Sequence, residues 1–491
     1  MIRSEEIVDA VLQQLQYNAD EPLIFSSALF LFLFAGFSIV YALLQRQTTA
    51  RILFVTLFSY YFYYKSSGFY FFLLALVTVS DFYIARLLSR HRSRWLVALS
   101  VAVDLGLLGY FKYANFFGTL WCDVVGRNFQ PWDIFLPVGI SFFVFQSLSY
   151  TIDVYRRKLQ PLGSLLDYAF YVSFFPQLVA GPIVRASDFI PQIRRPLCVT
   201  REMFGQGVFL IVSGLFKKAV ISDYISVNFV ERIFDNPSLY SGLENLLGVY
   251  GYTLQIYCDF SGYSDMAIGL ALLLGFRFPA NFDAPYKSDS ITDFWRRWHI
   301  SLSSWLRDYL YISLGGNRRG QVRTYVNLIL TMLLGGLWHG ASLNFVFWGG
   351  MHGVALAFHK AWNRMLGRDK GYHPRGLHRL LSVAVTFHFV AFCWVFFRNA
   401  TFEASGQMLT QIFTQFHPEV LPQLVDGYRA PLLMVVLGYV LHFLPRRVSR
   451  RFSGEVVHMP LLVQAVLVVA VIYVVVQVKS SEIQPFIYFQ F

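Results

Sequence analysis

The sequence predicts an all-α fold, a polytopic transmembrane helical domain, and three observations carry that prediction. Of the 491 residues, 56% are hydrophobic and only 14% are charged, where soluble domains carry roughly a quarter. Uncharged apolar runs recur along the whole chain: Leu23 to Leu44 and Phe69 to Ser80 carry no charge, and Leu461 to Val478 is interrupted only by Gln464 and Gln477. A helix needs about 20 such residues to cross a hydrocarbon core. The basic residues fall in short clusters between the runs, Arg86/Arg90/Arg92/Arg94, Arg156/Arg157/Lys158, Arg364/Arg368/Lys370 and Arg446/Arg447/Arg450/Arg451, the positive-inside pattern of cytoplasmic loops. The formal net charge of +12 therefore orients a membrane protein. It does not point to nucleic acid, because no soluble basic domain is present to bind it.

Taken in order, residues 1–22 read as an amphipathic N-terminal extension. Ile7, Val8, Val11, Leu12 and Leu15 line one side of a short helix lying at the interface, and Pro22 ends it. Its acidic residues and missing basic n-region argue against a secretory signal. Residues 23–491 read as a single membrane domain with no linker or tandem repeat. Apolar spans are expected near 23–45, 51–64, 68–88, 95–111, 137–155, 165–183, 203–227, 243–275, 324–338, 342–363, 378–397, 430–445 and 461–478. Pro137–Val138–Gly139, Phe175–Pro176 and Gly181–Pro182 interrupt two of them and read as re-entrant pieces, tolerated only where protein covers the backbone. The basic clusters put both chain ends outside and the block Arg296 to Arg323 in the cytoplasm. The four cysteines lack metal-ligand or disulfide spacing. Asp259 and Asp265, in an apolar span, are expected to pair with Arg or with helix ends. No metal is expected.

Two segments carry candidate chemistry. In residues 294–310, Phe294, Trp298, Leu302, Trp305 and Tyr309 recur at helical spacing, with Asp293 or Thr292 available as N-cap. This predicts one amphipathic helix at the cytoplasmic interface, followed by a turn at Gly315–Gly316–Asn317. Arg296 and Arg297 on its polar side suit a phosphorylated donor, while a plain surface helix is the alternative. The second segment, Thr331 to Gly340, holds His339 in a long apolar stretch, where an ionisable side chain is a functional-site hypothesis by default. Residues 324–338 rise roughly 22 Å at 1.5 Å per residue, which sets His339 deep and His299 at the opposite, cytoplasmic end. Imidazole titrates near neutrality and can take and return a hydroxyl proton. The rival reading makes His339 a hydrogen-bonding link between helices. Asn327 and the Gly340 amide are candidate oxyanion donors.

The strings Asp293–Phe294–Trp295–Arg296–Arg297–Trp298–His299–Ile300–Ser301–Leu302–Ser303, Leu314–Gly315–Gly316–Asn317–Arg318 and Gly335–Gly336–Leu337–Trp338–His339–Gly340–Ala341 resemble the signature of the membrane-bound O-acyltransferases, in particular their bacterial alginate O-acetylase branch. Pro137–Val138–Gly139–Ile140–Ser141–Phe142, Ala180–Gly181–Pro182, Asp259 to Ala267 and the ending Pro485 to Phe491 extend the resemblance from about Phe25 to the C-terminus. It implies helices around a central funnel and tunnel, with His339 as the catalytic residue and His299 at the tunnel's cytoplasmic end. It implies no bound cofactor and acetyl-CoA, or another acetyl thioester, as donor. It further implies a bacterial inner membrane, a periplasmic acetyltransferase partner protein and an exported polysaccharide as acceptor. Alginate is the first expectation for the polymer. Cellulose, peptidoglycan and D-alanyl transfer to a cell-wall polymer stand as alternatives, as does a non-enzymatic polytopic transporter.

Overall fold

The computed structural model describes residues 9, 12–19, 21–369, 371–478 and 486–487. Among the described residues every regular element is helical: α1 (Ala28–Leu43), α2 (Thr48–Ser67), α3 (Phe71–Arg90), α4 (Arg94–Leu108), α5 (Ala114–Val124), α6 (Ile140–Tyr155), α7 (Leu165–Ser173), α8 (Phe175–Leu178), α9 (Ala186–Ile193), α10 (Arg201–Leu215), α11 (Gly242–Leu273), α12 (Ile291–Arg297), α13 (Ile300–Trp305), α14 (Gln321–His339), α15 (Leu343–Met365), α16 (Gly376–Arg398), α17 (Phe402–Thr414), α18 (Arg429–Phe443), α19 (Arg446–His458) and α20 (Leu461–Val478), with 3-10 and π turns and the short helical pieces Asp223–Ile225, Glu231–Asp235 and Leu421–Gly427 between them. The all-α prediction holds. Four helical stretches are long and apolar enough to cross a membrane, Thr48–Arg90, Arg94–Val124, Gly376–Arg398 and Leu461–Val478. The pair Pro418–Gly427 and Arg429–Phe443, bent by 99°, makes a fifth if taken as one span.

Several expected spans differ from the observed helices. The span expected at 165–183 ends as helix at Ser173, and only the turn Phe175–Leu178 follows before Gly181–Pro182. Phe175, Pro176, Gln177 and Leu178 are all buried, so protein does cover this irregular backbone. The span 203–227 is helical to Leu215 and then widens into a π turn, Phe216–Ser222. The N-terminal helix stops at Leu15 rather than at Pro22. Its last carbonyls are taken by side chains of α2: Tyr61 donates to Leu15 O, and Lys65 to Gln14 O and Gln16 O. Ile7, Val8 and Val11 lie outside the described residues, as do Pro485 and Tyr488 to Phe491 of the C-terminal motif.

Helix α11 runs through the middle of the fold. Its start is fixed by a capping box, Ser241 with Glu244, which satisfies two orphan N–H groups reciprocally. At 32 residues it spans about 48 Å. Its two aspartates are paired with lysines rather than with arginines: Asp265 with Lys217, and Asp259 with Lys218 at 2.6 Å. Asp259 also accepts from Ile487 N at 3.0 Å. Both lysines lie in the π turn after α10.

Several helix pairs touch backbone to backbone through glycines. A Cβ on Gly214 would meet Gly262 O at 2.5 Å, joining α10 to α11. A Cβ on Gly336 would meet Phe345 O at 2.1 Å, and one on Gly349 would meet Met332 O at 2.2 Å, joining α14 to α15. Small residues permit such close approach between apolar helices, where hydrophobic driving force is weak. Gly336→Ala is therefore expected to push α14 from α15 and lower stability by about 1–3 kcal/mol, the ordinary cost of overpacking. A melting curve of the detergent-solubilised protein identical to wild type would contradict this packing.

Candidate active site

The aromatic segment 294–310 forms the floor of the site, and it is not one helix. Ser290, rather than Thr292 or Asp293, caps α12, its Oγ accepting from Asp293 N at 3.3 Å. The helix stops at Arg297, and His299 adopts a left-handed backbone, φ 43° and ψ 56°, before α13 starts. A non-glycine residue there costs of order 1–3 kcal/mol, and such strain clusters at functional sites. The aromatic side of the segment is buried: Phe294 and Leu302 are 1% exposed, Trp298 and His299 0%.

Asn281 explains the break. Two backbone bonds pair its segment with the residues around His299: Ile300 N to Asn281 O at 2.9 Å and Asp283 N to Arg297 O at 3.0 Å. The Asn281 Oδ1 accepts from Ser301 N at 3.2 Å and from Ser301 Oγ at 2.9 Å, and its Nδ2 donates to Ser264 Oγ at 3.1 Å. A backbone N–H only donates, so the amide orientation is fixed. His299 Nδ1, 3.2 Å from the same Oδ1, must then carry the proton, which makes Nε2 the unprotonated nitrogen.

His339 is the last residue of α14 and is 3% exposed. Its ring sits among Trp348 at 5.1 Å, Phe397 at 5.5 Å and Trp338 at 5.0 Å, centroid to centroid. The expectation that His299 and His339 stand at opposite ends of one segment is corrected here: their ring centroids are 6.4 Å apart. The turn through Gly315, Gly316 and Gly320, all at positive φ, reverses the chain, so α14 returns along the aromatic segment instead of leading away from it. Phe142, Phe260 and Trp338 wall His299.

A third imidazole was not singled out in the sequence. His352 on α15 is fully buried, and its Nδ1 accepts from Trp295 Nε1 at 3.3 Å. Phe294 stacks on it at 6.1 Å.

Beside the N-terminal half of α14 lies a cavity of about 1040 Å³, lined by Arg296, Arg307, Lys360, Arg364 and Arg368 as well as by Thr292, Thr331 and Met332. This is at the upper end of ligand pockets, roughly 300–1,000 Å³, and its basic lining suits an anion. Arg296 lines it. Arg297 does not belong to that lining; it is bound to Asp293 at 2.8 Å and lies 3.9 Å from Asp283. Past the other end of α14, Trp338 and His339 line a second, small cavity of about 40 Å³ with Lys112, Pro137, Gly139 and Ser141. Met332 and His339 are seven residues apart, about 10 Å along the helix.

The two candidate oxyanion donors are engaged elsewhere. Asn327 Nδ2 donates to Leu314 O and Gly316 O, closing the glycine turn, and Gly340 N donates to Gly336 O. Lys112 escaped the sequence reading too, although a lone Lys between Leu105 and Phe117 in an apolar run is a signal of the kind that drew attention to His339.

Residues 149–397 match the model of the membrane-bound O-acyltransferase family, a stretch that holds Asn281, His299, His339 and His352. The chain is 42% identical over 402 residues to a probable alginate O-acetylase of Pseudomonas putida, covering 80% of each chain. It is 43% identical over 402 residues to the probable alginate O-acetylase of Pseudomonas aeruginosa, covering 80% of this chain and 75% of that one. A peptidoglycan O-acetyltransferase of Helicobacter pylori is 39% identical over 345 residues, 65% of this chain and 64% of its own.

Proposed function

The chain belongs to the membrane-bound O-acyltransferase family and is a membrane acyltransferase, and from that premise we propose that it moves acetyl from cytoplasmic acetyl-CoA through the site at His299 and His339 to a polysaccharide exported across a bacterial inner membrane. The observation that carries this reading is the meeting of two buried imidazoles at one end of α14, with a large basic cavity beside the N-terminal half of that helix and a small cavity at His339. The donor's phosphates bind in the basic cavity, with Arg296 among their partners, and its thioester reaches toward His299. His339 takes the proton of an acceptor hydroxyl while that oxygen attacks the thioester carbonyl. The new C–O bond forms, the C–S bond breaks, and the proton passes to the departing thiolate. His299, held as the Nδ1–H tautomer by Asn281, presents a neutral acceptor nitrogen toward this exchange.

Alginate is the proposed polymer, supported by what the Pseudomonas relatives are called; peptidoglycan is the second reading, favoured by the Helicobacter relative. A periplasmic partner protein completes delivery. The test uses sealed vesicles of the full-length protein, labelled acetyl-CoA on the cytoplasmic face and polymer on the other. Label is expected in ester linkage on the polymer with stoichiometric release of CoA. Passage of solute without thioester consumption would overturn the reading in favour of a transporter. Arg296→Gln removes a charge-assisted contact worth about 1.5–3 kcal/mol, so the KM for acetyl-CoA is expected to rise about tenfold or more, with kcat little changed. An unchanged KM would remove Arg296 from the donor site.

A further inference from the structure

The end of α14 is where His339 stands, and helix ends leave their last four carbonyls without intrahelical donors. Here each one can be accounted for. Gly340 N donates to Gly336 O, the Tyr113 hydroxyl to Leu337 O at 2.9 Å, and the Lys112 ammonium to Trp338 O at 2.7 Å and to His339 O at 3.0 Å. Both donors come from the π turn Gly109–Tyr113 between α4 and α5; such turns recur at functional sites. The Lys112 Nζ also lies 6.0 Å from the Trp338 ring.

Lys112 is half-buried, and a helix end needs no charge to be capped. A cation set on these two carbonyls also meets the negative end of the helix dipole. The geometry points to Lys112 as the positioning residue of the acyl-transfer site: it holds the backbone of His339, and so its imidazole, at the register the reaction needs. This rests on the acyl-transfer reading above.

A misplacement of about 1 Å can cost about a hundredfold in rate. In the full-length protein, Lys112→Met is therefore expected to lower kcat about a hundredfold while the KM for acetyl-CoA stays within about twofold. Lys112→Arg, which keeps the charge and the donors, should recover most of the loss. Tyr113→Phe removes one bond only and should lower kcat less, with KM again unchanged; this variant keeps the idea testable if Lys112→Met does not fold. A Lys112→Met enzyme with wild-type kcat overturns the assignment, as does one whose kcat and KM fail together without rescue by Arg. If wild type consumes no acetyl-CoA, the acyl-transfer reading itself falls. If wild type is active and Lys112→Met equals it, only the positioning role falls.

Discussion

Replacing His339 with Ala is expected to abolish acyl transfer while leaving the protein inserted in the membrane. The imidazole is 3% exposed and surrounded by Trp338, Trp348 and Phe397, none of which can replace it as proton acceptor. A positioned general base contributes about 10²–10⁴-fold, and the variant should lose at least that much in kcat. Folding should survive, because Ala is the best helix former and His339 is the terminal residue of α14. The contacts that hold this end, from Lys112, Tyr113 and Gly340, go to backbone carbonyls and are untouched by truncating the side chain. His339→Gln is the companion variant: it keeps volume and polarity but not a basic ring nitrogen, and it should be equally inactive. Label transfer in vesicles, with membrane insertion followed in parallel, reads both. Full activity of either variant would refute the base assignment and favour His339 as a link between helices.

The sequence made the helices legible and left the meeting of the site hidden, for a physical reason. Apolar periodicity and charge clusters report on one stretch of chain at a time. They located α14, α15, α16 and α20 within a few residues, and the aromatic stripe of 294–310 is buried as its spacing implied. The same local logic sent His299 and His339 to opposite ends, because rise along a helix says nothing about where the chain doubles back. The reversal is written in Gly315, Gly316 and Gly320, which read only as a turn. The break at His299 was equally unreadable from its own segment, since helical spacing continues straight through it. Its cause, Asn281, lies in an aperiodic stretch between two prolines, where no pattern singles out one polar residue. Lys112 differed: its charge in an apolar run was visible, but its partners are carbonyls more than 200 residues away, and backbone acceptors leave no trace in sequence.

Asn281→Ala is expected to be the most damaging change among residues that do not themselves exchange a proton with substrate. Asn281 is 1% exposed, and one oxygen serves three donors: Ser301 N–H, the Ser301 hydroxyl and His299 Nδ1–H. Truncation orphans the N–H at the start of α13 and the ring N–H of His299, each at about 1–3 kcal/mol for a buried donor. The left-handed backbone of His299 then loses the contacts that over-determine it, so its strain is released by movement of the imidazole away from His339. Stability and kcat should therefore fall together. Asn281→Asp separates the two effects: a carboxylate oxygen still accepts from Ser301 and His299, and the Ser264 hydroxyl can turn to donate to the other oxygen. The tautomer of His299 is then kept, and activity should recover further than stability, which bears the cost of a buried charge. Melting temperature and kcat measured on both variants decide the matter. If Asn281→Ala melts and turns over like wild type, the network does not hold His299. If Asn281→Asp regains stability but no activity, the tautomer argument fails and the role of Asn281 is structural alone.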